Sequence, residues 1–224
     1  MVSIMKGFFI NNHSNKTILI GAHIDHIGYG DQLSLSYKSD EIHNGADDNA
    51  SGVAVLIELC KLLSSEKLAV NFLIVPFTAH EIGTFGSQYL AEHLPKKAKN
   101  ILLMINLDMV GRMDPSSNAL YASLSDPGLF PKPNNFCKLV ATDNKKIQLL
   151  DSKHFVAKGI PAISFSTGMH ADYHKTLDDP QYLNLDGMVR VACSYMTIST
   201  KDFKRFLNKE SLSMGVYSPW SSPI

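Results

Sequence analysis

The sequence predicts an α/β fold, a three-layer sandwich in which a mostly parallel, mixed sheet carries helices on both faces. Apolar runs rich in β-branched residues alternate along the chain with segments whose apolar residues recur at helical spacing. The strand-like runs are apolar throughout rather than at every second position. This pattern is typical of parallel strands that are covered on both faces.

Four segments read as strands, because each is a short apolar run that ends on polar residues. They are 16–23 (KTILIGAH), 69–77 (AVNFLIVPF), 100–108 (NILLMINLD) and 159–168 (GIPAISFSTG). Three segments between and after them have the apolar spacing of amphipathic helices. They are 51–65 (SGVAVLIELCKLLSS), 85–94 (FGSQYLAEHL) and 185–200 (LDGMVRVACSYMTIST).

The chain is predicted to form one domain over residues 1–204, followed by a weakly structured tail over 205–224. Its length of 224 residues, 45% of them hydrophobic, suits a single core of this size. Residues 113–135 are rich in Pro, Ser and Asn, and this composition predicts a long surface loop.

Charge and cysteine usage exclude several classes of function. Lys plus Arg (21) balance Asp plus Glu (21), which gives no support for binding to nucleic acid or to an anionic membrane and favours a small or peptide-like partner. The longest apolar runs are too short to span a membrane, and the first residues lack the features of a signal peptide. The three cysteines lie far apart, so any metal would be held by nitrogen and oxygen atoms.

Five polar clusters end or follow the predicted strands. They are 21–26 (GAHIDH), 43–52 (HNGADDNASG), 79–83 (AHEIG), 106–111 (NLDMVG) and 170–179 (HADYHKTLDD). In a mostly parallel sheet, functional groups collect beyond the carboxyl ends of the strands. Imidazoles and carboxylates that converge there form a natural site for zinc, which accepts nitrogen and oxygen ligands.

Each cluster also has an ordinary structural interpretation. A His-x-Asp pair is often a surface hydrogen bond. The run DDNASG could be a turn followed by a helix N-cap, and DYH could be part of a plain loop. These interpretations would all have to hold independently, whereas one metal site explains all five clusters.

The five motifs, in this order and at these separations, resemble the co-catalytic di-zinc aminopeptidases. This family comprises the bacterial leucyl aminopeptidase type and its glutamate carboxypeptidase relatives. The resemblance covers about residues 18–188. It implies a phosphorylase/hydrolase-like sandwich, two Zn²⁺ per chain and a peptide substrate whose bond is hydrolysed by a metal-bridging water, usually with release of the N-terminal residue. It also suggests that a segment before Met1 is missing, since family members usually carry further residues, often a secretion signal, ahead of the part that matches GFFINN; localisation is then not readable from this start.

The resemblance assigns the ligands by position. His23 and Asp108 would bind one zinc, Glu81 and His174 would bind the other, and Asp48 would bridge the two. Three carboxylates and a bridging hydroxide would balance the four positive charges of two zinc ions, so the site could lie in a partly buried cleft.

Two further residues take roles from the resemblance. Asp25 fits the carboxylate that orients ligand His23. Tyr173, beside ligand His174, resembles the residue that hydrogen-bonds the developing oxyanion, although a tyrosine that packs at the cleft wall fits the sequence nearly as well.

The sequence departs from the family pattern at His80. The family has two adjacent glutamates here, the first a general base and the second a zinc ligand, whereas this chain has His80 and Glu81. A neutral imidazole, with an ordinary pKa of about 6.5, can also accept a proton near neutral pH. His80 is therefore the candidate catalytic base, and loss of such a base costs about 10²–10⁴ in rate.

Two alternatives stay open on the sequence alone. The protein could be a catalytically impaired homologue that acts as a metal- or peptide-binding module, or it could catalyse another amide reaction such as glutaminyl cyclisation. The complete ligand set argues against a decayed site. Because the resemblance implies a single zinc for the cyclases, the same ligand set favours hydrolysis.

The remaining polar residues near the motifs are less informative. His26, His43 and His170 are expected to be supporting or structural groups, since five ligands complete the site. In 150–155 (LDSKHF), where the family often has Ser-Asp-His, only Asp151 keeps its place. The other histidines have no motif support and are expected at the surface or in loops; they are His13, His93 and His154.

Overall fold

Seven strands form one mixed sheet in the computed structural model of the protein, which describes residues 7–30, 32–37, 41–98 and 100–197. The strands are β1 (Phe8–Ile10), β2 (Thr17–His23), β3 (Asn71–Phe77), β4 (Ile101–Leu107), β5 (Ala119–Leu124), β6 (Lys138–Ala141) and β7 (Ala162–Ser166). Their order across the sheet is β1-β3-β2-β4-β7-β5-β6.

The centre of the sheet is parallel and its margins are mixed. Strands β3, β2, β4 and β7 pair in parallel. Strand β1 is antiparallel to β3, and β5 is antiparallel to β7 while running parallel to β6. The prediction of a mostly parallel, mixed sheet is confirmed, and the four predicted strands are β2, β3, β4 and β7.

Four helices cover the two faces of the sheet. They are α1 (Gly52–Ser65), α2 (Phe85–Glu92), α3 (Ser152–Ala157) and α4 (Leu185–Thr197). Helices α1 and α4 pack on one face, and α2 and α3 pack on the other. The three-layer arrangement is therefore confirmed, with α1, α2 and α4 close to the predicted helices.

The two core layers explain why the central strands are apolar on both faces. In β2, Ile18 and Ile20 point into the layer beneath α1 and α4, where they join buried residues such as Leu59. The residue between them, Leu19, points into the opposite layer, where Phe77 and Phe155 also lie. Because successive side chains of a strand alternate between faces, a strand buried on both faces needs an apolar residue at each position.

The prediction of a long surface loop over residues 113–135 is wrong. Strand β5 lies within this segment, between β7 and β6, and most of its residues are buried. The run ALYASL contains enough apolar and small residues for a strand inside the sheet. The Pro, Ser and Asn residues around it dominate the composition and hide this short strand.

The predicted tail over residues 205–224 lies outside the described residues, and the boundary at 204 stays a prediction. Within the described part of the chain, no helix is both long and apolar enough to cross a membrane.

The parallel strands bring the sequence motifs to one edge of the sheet. Strand β2 ends at His23, β3 ends three residues before His80, and β4 ends just before Asp108. The segment after β7 continues to His174. This edge is where parallel α/β sheets usually bind their ligands.

Candidate metal centre

The structure brings all five predicted metal ligands together at this edge. His23 is the last residue of β2, and Glu81 and Asp108 follow β3 and β4. Asp48 lies in the turn before α1, and His174 lies in the segment after β7. The exposed fraction of each of these side chains is 10% or less, so five polar groups share a nearly buried site.

Asp48 occupies the middle of the cluster. Its Oδ1 lies 3.2 Å from His23 Nε2, and its Oδ2 lies 3.3 Å from His174 Nε2. Each histidine also faces a second carboxylate. His23 Nε2 is 3.6 Å from Asp108 Oδ1, and His174 Nε2 is 3.4 Å from Glu81 Oε2. The cluster therefore consists of two histidine–carboxylate pairs that share Asp48.

Main-chain carbonyl groups hold the outer nitrogen of both histidines. His23 Nδ1 lies 3.0 Å from the carbonyl oxygen of Asp25, and His174 Nδ1 lies 2.9 Å from that of Leu33. Because a carbonyl only accepts, both Nδ1 atoms must carry the proton. Both Nε2 atoms are buried and make no hydrogen bond to any group in the described part of the chain.

This arrangement fits a divalent cation. A neutral imidazole with its proton on Nδ1 directs the lone pair of Nε2 at carboxylate oxygens, which repel it unless a proton or a metal ion lies between them. Metal-binding histidines commonly have the outer N–H fixed by a carbonyl or carboxylate. Two imidazoles and three carboxylates form a nitrogen and oxygen donor set that suits zinc.

The pKa shifts of the two histidines in the metal-free site are consistent with a site for a cation. Burial lowers the pKa of His23, but the carboxylates of Asp108 and Asp48 outweigh it and raise the pKa well above its ordinary value. At His174 burial is likewise outweighed, mainly by Asp48 and Glu81, and the pKa rises to about 10. Without a metal, protonated imidazoles therefore balance the carboxylates.

The pKa values of two carboxylates, Asp48 and Glu81, shift in the opposite direction. Burial raises the pKa of Asp48, but His174 and His23 outweigh it and hold the pKa well below its ordinary value. The pKa of Glu81 falls to about 2, because His174 and His26 outweigh the effect of its burial. The carboxylates of Asp48 and Glu81 are thus ionised and available to a cation at neutral pH.

Asp25 supports the cluster in two ways. Its carbonyl holds His23, while its carboxylate oxygen Oδ1 lies farther away, 3.9 Å from His23 Nδ1. The carboxylate instead accepts hydrogen bonds from the backbone N–H groups of His80 and Glu81, both at 3.1 Å. In this structure the Asp25 side chain chiefly fixes the turn after β3, and its main chain orients His23.

Two further residues fix the turn that carries Asp48. The buried carboxylate of Asp178 accepts the N–H groups of Asp47 and Asp48, each at 3.0 Å. The side chain of Asn49 donates to the carbonyl of Leu107 at 2.9 Å and accepts the N–H of Met109 at 3.0 Å. These bonds tie the Asp48 turn to the end of β4, where Asp108 lies.

His26 lies closer to the ligands than its sequence position suggested. Its Nδ1 is 3.1 Å from Glu81 Oε1, and its Nε2 is buried without a hydrogen bond to the described residues. His170 is partly buried, and its buried Nε2 lies 3.2 Å from Asp47 Oδ2. His43 instead contacts the hydroxyl of Ser34 at 2.8 Å, away from the five ligands.

His80 stacks on His23, one of the predicted ligands. The two ring centroids are 3.9 Å apart and the ring planes differ by 10°. Its Nδ1 lies 2.8 Å from Oδ2 of Asp151, a fully buried carboxylate. Burial lowers the pKa of His80, but the hydrogen bond to Asp151 outweighs it and raises the pKa. Sequence reasoning missed this pair, and the retained Asp151 in LDSKHF was the signal that could have found it.

Tyr173 lies on the other side of the cluster. Its ring stacks on that of His174, with centroids 3.9 Å apart. Burial raises the pKa of its hydroxyl, and the charges of Asp48, Glu81 and Asp108 raise it further, so the hydroxyl stays protonated and can donate. Tyr173, His80 and Asp48 line a cavity of about 770 Å³ that opens beside the cluster.

The cavity is large enough for an amino-acid side chain and more. Several of its walls are apolar, with Met109, Phe165 and Met169 among the lining residues. Ser123 and Thr142, whose hydroxyls are 2.7 Å apart, add polar groups.

Fold and site together define an α/β domain with a two-histidine, three-carboxylate centre at the carboxyl edge of its sheet. The chain belongs to peptidase family M28, whose family model matches residues 9–197. The resemblance found in the sequence motifs is therefore confirmed.

Individual relatives support the family assignment. The chain is 32% identical over 176 residues to the uncharacterized protein YfbL of Escherichia coli, which covers 70% of this chain and 51% of that protein. It is 34% identical over 95 residues to the aminopeptidase YwaD of Bacillus subtilis, or 42% of this chain and 21% of that protein. A probable zinc metalloprotease of Pyrenophora teres is 33% identical over 111 residues, which are 50% of this chain and 22% of that protein. The chain thus spans about half, or less, of the length of these relatives.

Solved structures share the fold. The LapA aminopeptidase of Legionella pneumophila superposes with a TM-score of 0.68 at 18% identity, over 87% of this chain and 57% of that chain. A glutaminyl cyclase from Porphyromonas gingivalis superposes with a TM-score of 0.67 at 20% identity, over 91% of this chain and 76% of that chain. At these identities the likeness shows the fold alone, and it confirms the predicted α/β sandwich.

Proposed function

We propose that the protein is a zinc-dependent exopeptidase of the aminopeptidase type, acting on peptide substrates at a centre for two metal ions. One observation carries the proposal. The two oxygens of Asp48 face different histidines, and each histidine presents a buried, unbonded Nε2 beside a second carboxylate. The aminopeptidase and zinc metalloprotease among the relatives agree with this reaction and this metal.

In this proposal His23 and Asp108 would hold one zinc ion, His174 and Glu81 would hold the other, and Asp48 would contribute to both. Zinc, when bound, would polarise the scissile carbonyl and lower the pKa of a coordinated water. Three carboxylates offset most of the charge of two divalent ions, so the nearly buried position of the site is electrostatically reasonable.

His80 is the proposed base. Its Nδ1 is engaged by Asp151, which leaves Nε2 to accept a proton from the attacking water. The water oxygen forms a bond to the carbonyl carbon, the C–N bond breaks, and the proton passes from His80 to the leaving amine. Tyr173, protonated at neutral pH, would donate a hydrogen bond to the oxyanion that develops on the carbonyl oxygen.

The experiment compares hydrolysis of aminoacyl-nitroanilides and of their N-acetylated analogues by the zinc-loaded protein and its variants. We expect turnover of the free-amine substrates only, and a loss of about 10²–10⁴ in kcat for His80→Ala. Glu92→Gln, on the exposed end of α2, is the matched control and should retain native kcat. The His80→Glu variant is tested alongside.

Three results would each contradict part of the proposal. Activity only in His80→Glu would mean that the native protein binds metal and peptide without turnover. Turnover that survives His80→Ala unchanged would remove His80 from the mechanism. Equal cleavage of the acetylated substrates would contradict exopeptidase action, because an exopeptidase of this type requires the free amine.

A further inference from the structure

We propose that Asp151 is a positioning residue for His80: it fixes the orientation of the imidazole and keeps the proton on Nδ1, so that Nε2 is the accepting nitrogen. The proposal rests on the proposed function, because it assigns a role to Asp151 through His80. It concerns a residue that lies outside the five ligands and 71 residues from His80 in the sequence.

The hydrogen bond between the two residues is short and enclosed. Asp151 Oδ2 lies 2.8 Å from His80 Nδ1, and no part of the Asp151 side chain is exposed. Such a bond in a water-excluded position is stronger than the same bond at the surface. A buried carboxylate is costly unless it is paired, so His80 and Asp151 stabilise one another.

Asp151 is itself held in place. The hydroxyl of Ser87, on α2, donates to Asp151 Oδ1 at 2.6 Å, which leaves Oδ2 for His80. Asp151 directly precedes α3, which packs against α2. The carboxylate is therefore fixed between two helices, and it imposes its direction on the imidazole.

The tautomer of His80 follows from this arrangement. Burial raises the pKa of Asp151, but His80 and Ser87 outweigh it and lower the pKa, so the carboxylate is ionised at neutral pH. An ionised carboxylate only accepts hydrogen bonds, and the proton between the two residues must therefore reside on His80 Nδ1. In the neutral ring, Nε2 then carries the free lone pair.

His80 has a ring nitrogen within 4.8 Å of potential ligand atoms of His23 and Asp108, but its ring orientation disfavours it as a further ligand of an ion that His23 would bind. The lone pair of an imidazole nitrogen lies in the plane of the ring. Since the His23 and His80 planes are stacked and differ by only 10°, their lone pairs run in parallel planes and do not converge on one point. With Nδ1 engaged by Asp151, the second nitrogen of His80 is left for the cavity that the residue lines.

The first test is spectroscopic and does not depend on activity. Long-range ¹H–¹⁵N correlation spectra of the full chain, with zinc and without it, report which ring nitrogen of His80 carries the proton at a pH where the ring is neutral. The His80 signals are assigned by their loss in His80→Gln. We expect the Nδ1–H form in the native protein and loss of this preference in Asp151→Leu, which keeps the branched shape of the side chain, although it is larger, and cannot accept a hydrogen bond.

The control is Ser152→Ala, which removes an equally buried hydroxyl at the next residue, bonded to Ser164 rather than to His80. It should leave the His80 tautomer unchanged. A native protein with the proton on Nε2 would overturn the proposal, and this measurement needs no variant of Asp151 to fold. An Asp151→Leu protein that folds and retains the Nδ1–H form would overturn it as well.

The second test is kinetic. We expect Asp151→Leu to lower kcat by about 10- to 100-fold with little change in KM, the usual cost of losing a residue that orients a functional histidine. In the His80→Ala background, Asp151→Leu should have little further effect, because it acts through the imidazole. If the two effects on kcat multiply, Asp151 does not act through His80. A wholly inactive native protein would refute the proposed function but leave the spectroscopic result standing.

Discussion

Asp48→Asn should remove most of the stabilisation that zinc gives to this protein. In the structure, the two oxygens of Asp48 are divided between His23 and His174. Asparagine keeps one oxygen and replaces the other by an amide NH₂, which donates hydrogen bonds and does not bind a cation. It can therefore serve one ion at most, without the charge of the carboxylate.

The expected magnitude follows from binding linkage. Zinc at about 100 times its Kd stabilises the folded state by about 2.7 kcal/mol per site, or about 5 kcal/mol for two independent sites. For a chain of this size, 1 kcal/mol shifts Tm by about 2–4 °C, so zinc should raise the Tm of the native protein by about 10–20 °C. For Asp48→Asn we expect less than half of this shift, together with at most one zinc per chain.

The assay is thermal unfolding in chelator and in zinc, with the metal content counted by elemental analysis on the same samples. Glu92→Gln is the control, since it makes the same carboxylate-to-amide change at an exposed position far from the cluster. The bridging role would be refuted if the Asp48→Asn variant retained two zinc ions and the full Tm shift. A native protein without any zinc-induced shift would refute the metal centre.

Three further predictions follow. In the metal-free protein, the pKa of His174 is raised from 6.5 to about 10, which adds stability below pH 6.5 that is lost as the pH rises towards 10. The pKa of Glu81 is lowered from 4.5 to about 2, which adds stability above pH 4.5 that is lost as the pH falls towards 2. Thermal melts in chelator should therefore show the highest Tm between about pH 4.5 and 6.5; a maximum near pH 9 would contradict these shifts. Tyr173→Phe should lower kcat by about 10²-fold or more without loss of zinc, whereas an unchanged kcat would assign Tyr173 to the cavity wall alone. Leu59→Ala, on the buried face of α1, should cost about 2–5 kcal/mol in denaturant unfolding while the zinc content of the folded protein stays native; a loss below about 1 kcal/mol would contradict close packing there.

The sequence was a good guide to the centre of the fold. Strands β2, β3, β4 and β7 are buried on both faces, and their continuous apolar runs reveal them. Strand β5 was missed because six residues between Pro-, Ser- and Asn-rich segments leave little periodicity to detect. Its place between β7 and β6 depends on pairing with distant residues, which a local pattern does not encode.

The candidate site, like the fold, could be predicted only in part from the sequence. The five candidate ligands lie at strand ends or in motifs with a fixed spacing, so they could be chosen from the sequence. The contacts around these residues could not be predicted from the sequence. The bond between His80 and Asp151 joins residues 71 positions apart, and that between Ser87 and Asp151 joins residues 64 positions apart. Such pairs exist only after the helices have packed on the sheet.

The hydrogen bonds also explain why each motif is a cluster rather than a single ligand. In GAHIDH, His23 is a candidate ligand, while Asp25 fixes the backbone of Glu81 in the next strand-end motif. In HNGADDNASG, Asp48 is the shared carboxylate, while Asn49 holds both sides of Asp108.

The motif that supplies His174 continues this arrangement. Its Asp178 accepts the N–H group of Asp48, and so anchors the turn that carries the shared carboxylate. At least three motifs thus provide one candidate ligand and one residue that immobilises the ligand of another motif. A centre built in this way should have little freedom to spread when the metal is absent, because a neighbouring segment holds the main chain at or beside each of the three carboxylates. On the proposed function, zinc would need to replace only the protons that balance the cluster, because the fold already brings the candidate ligands together.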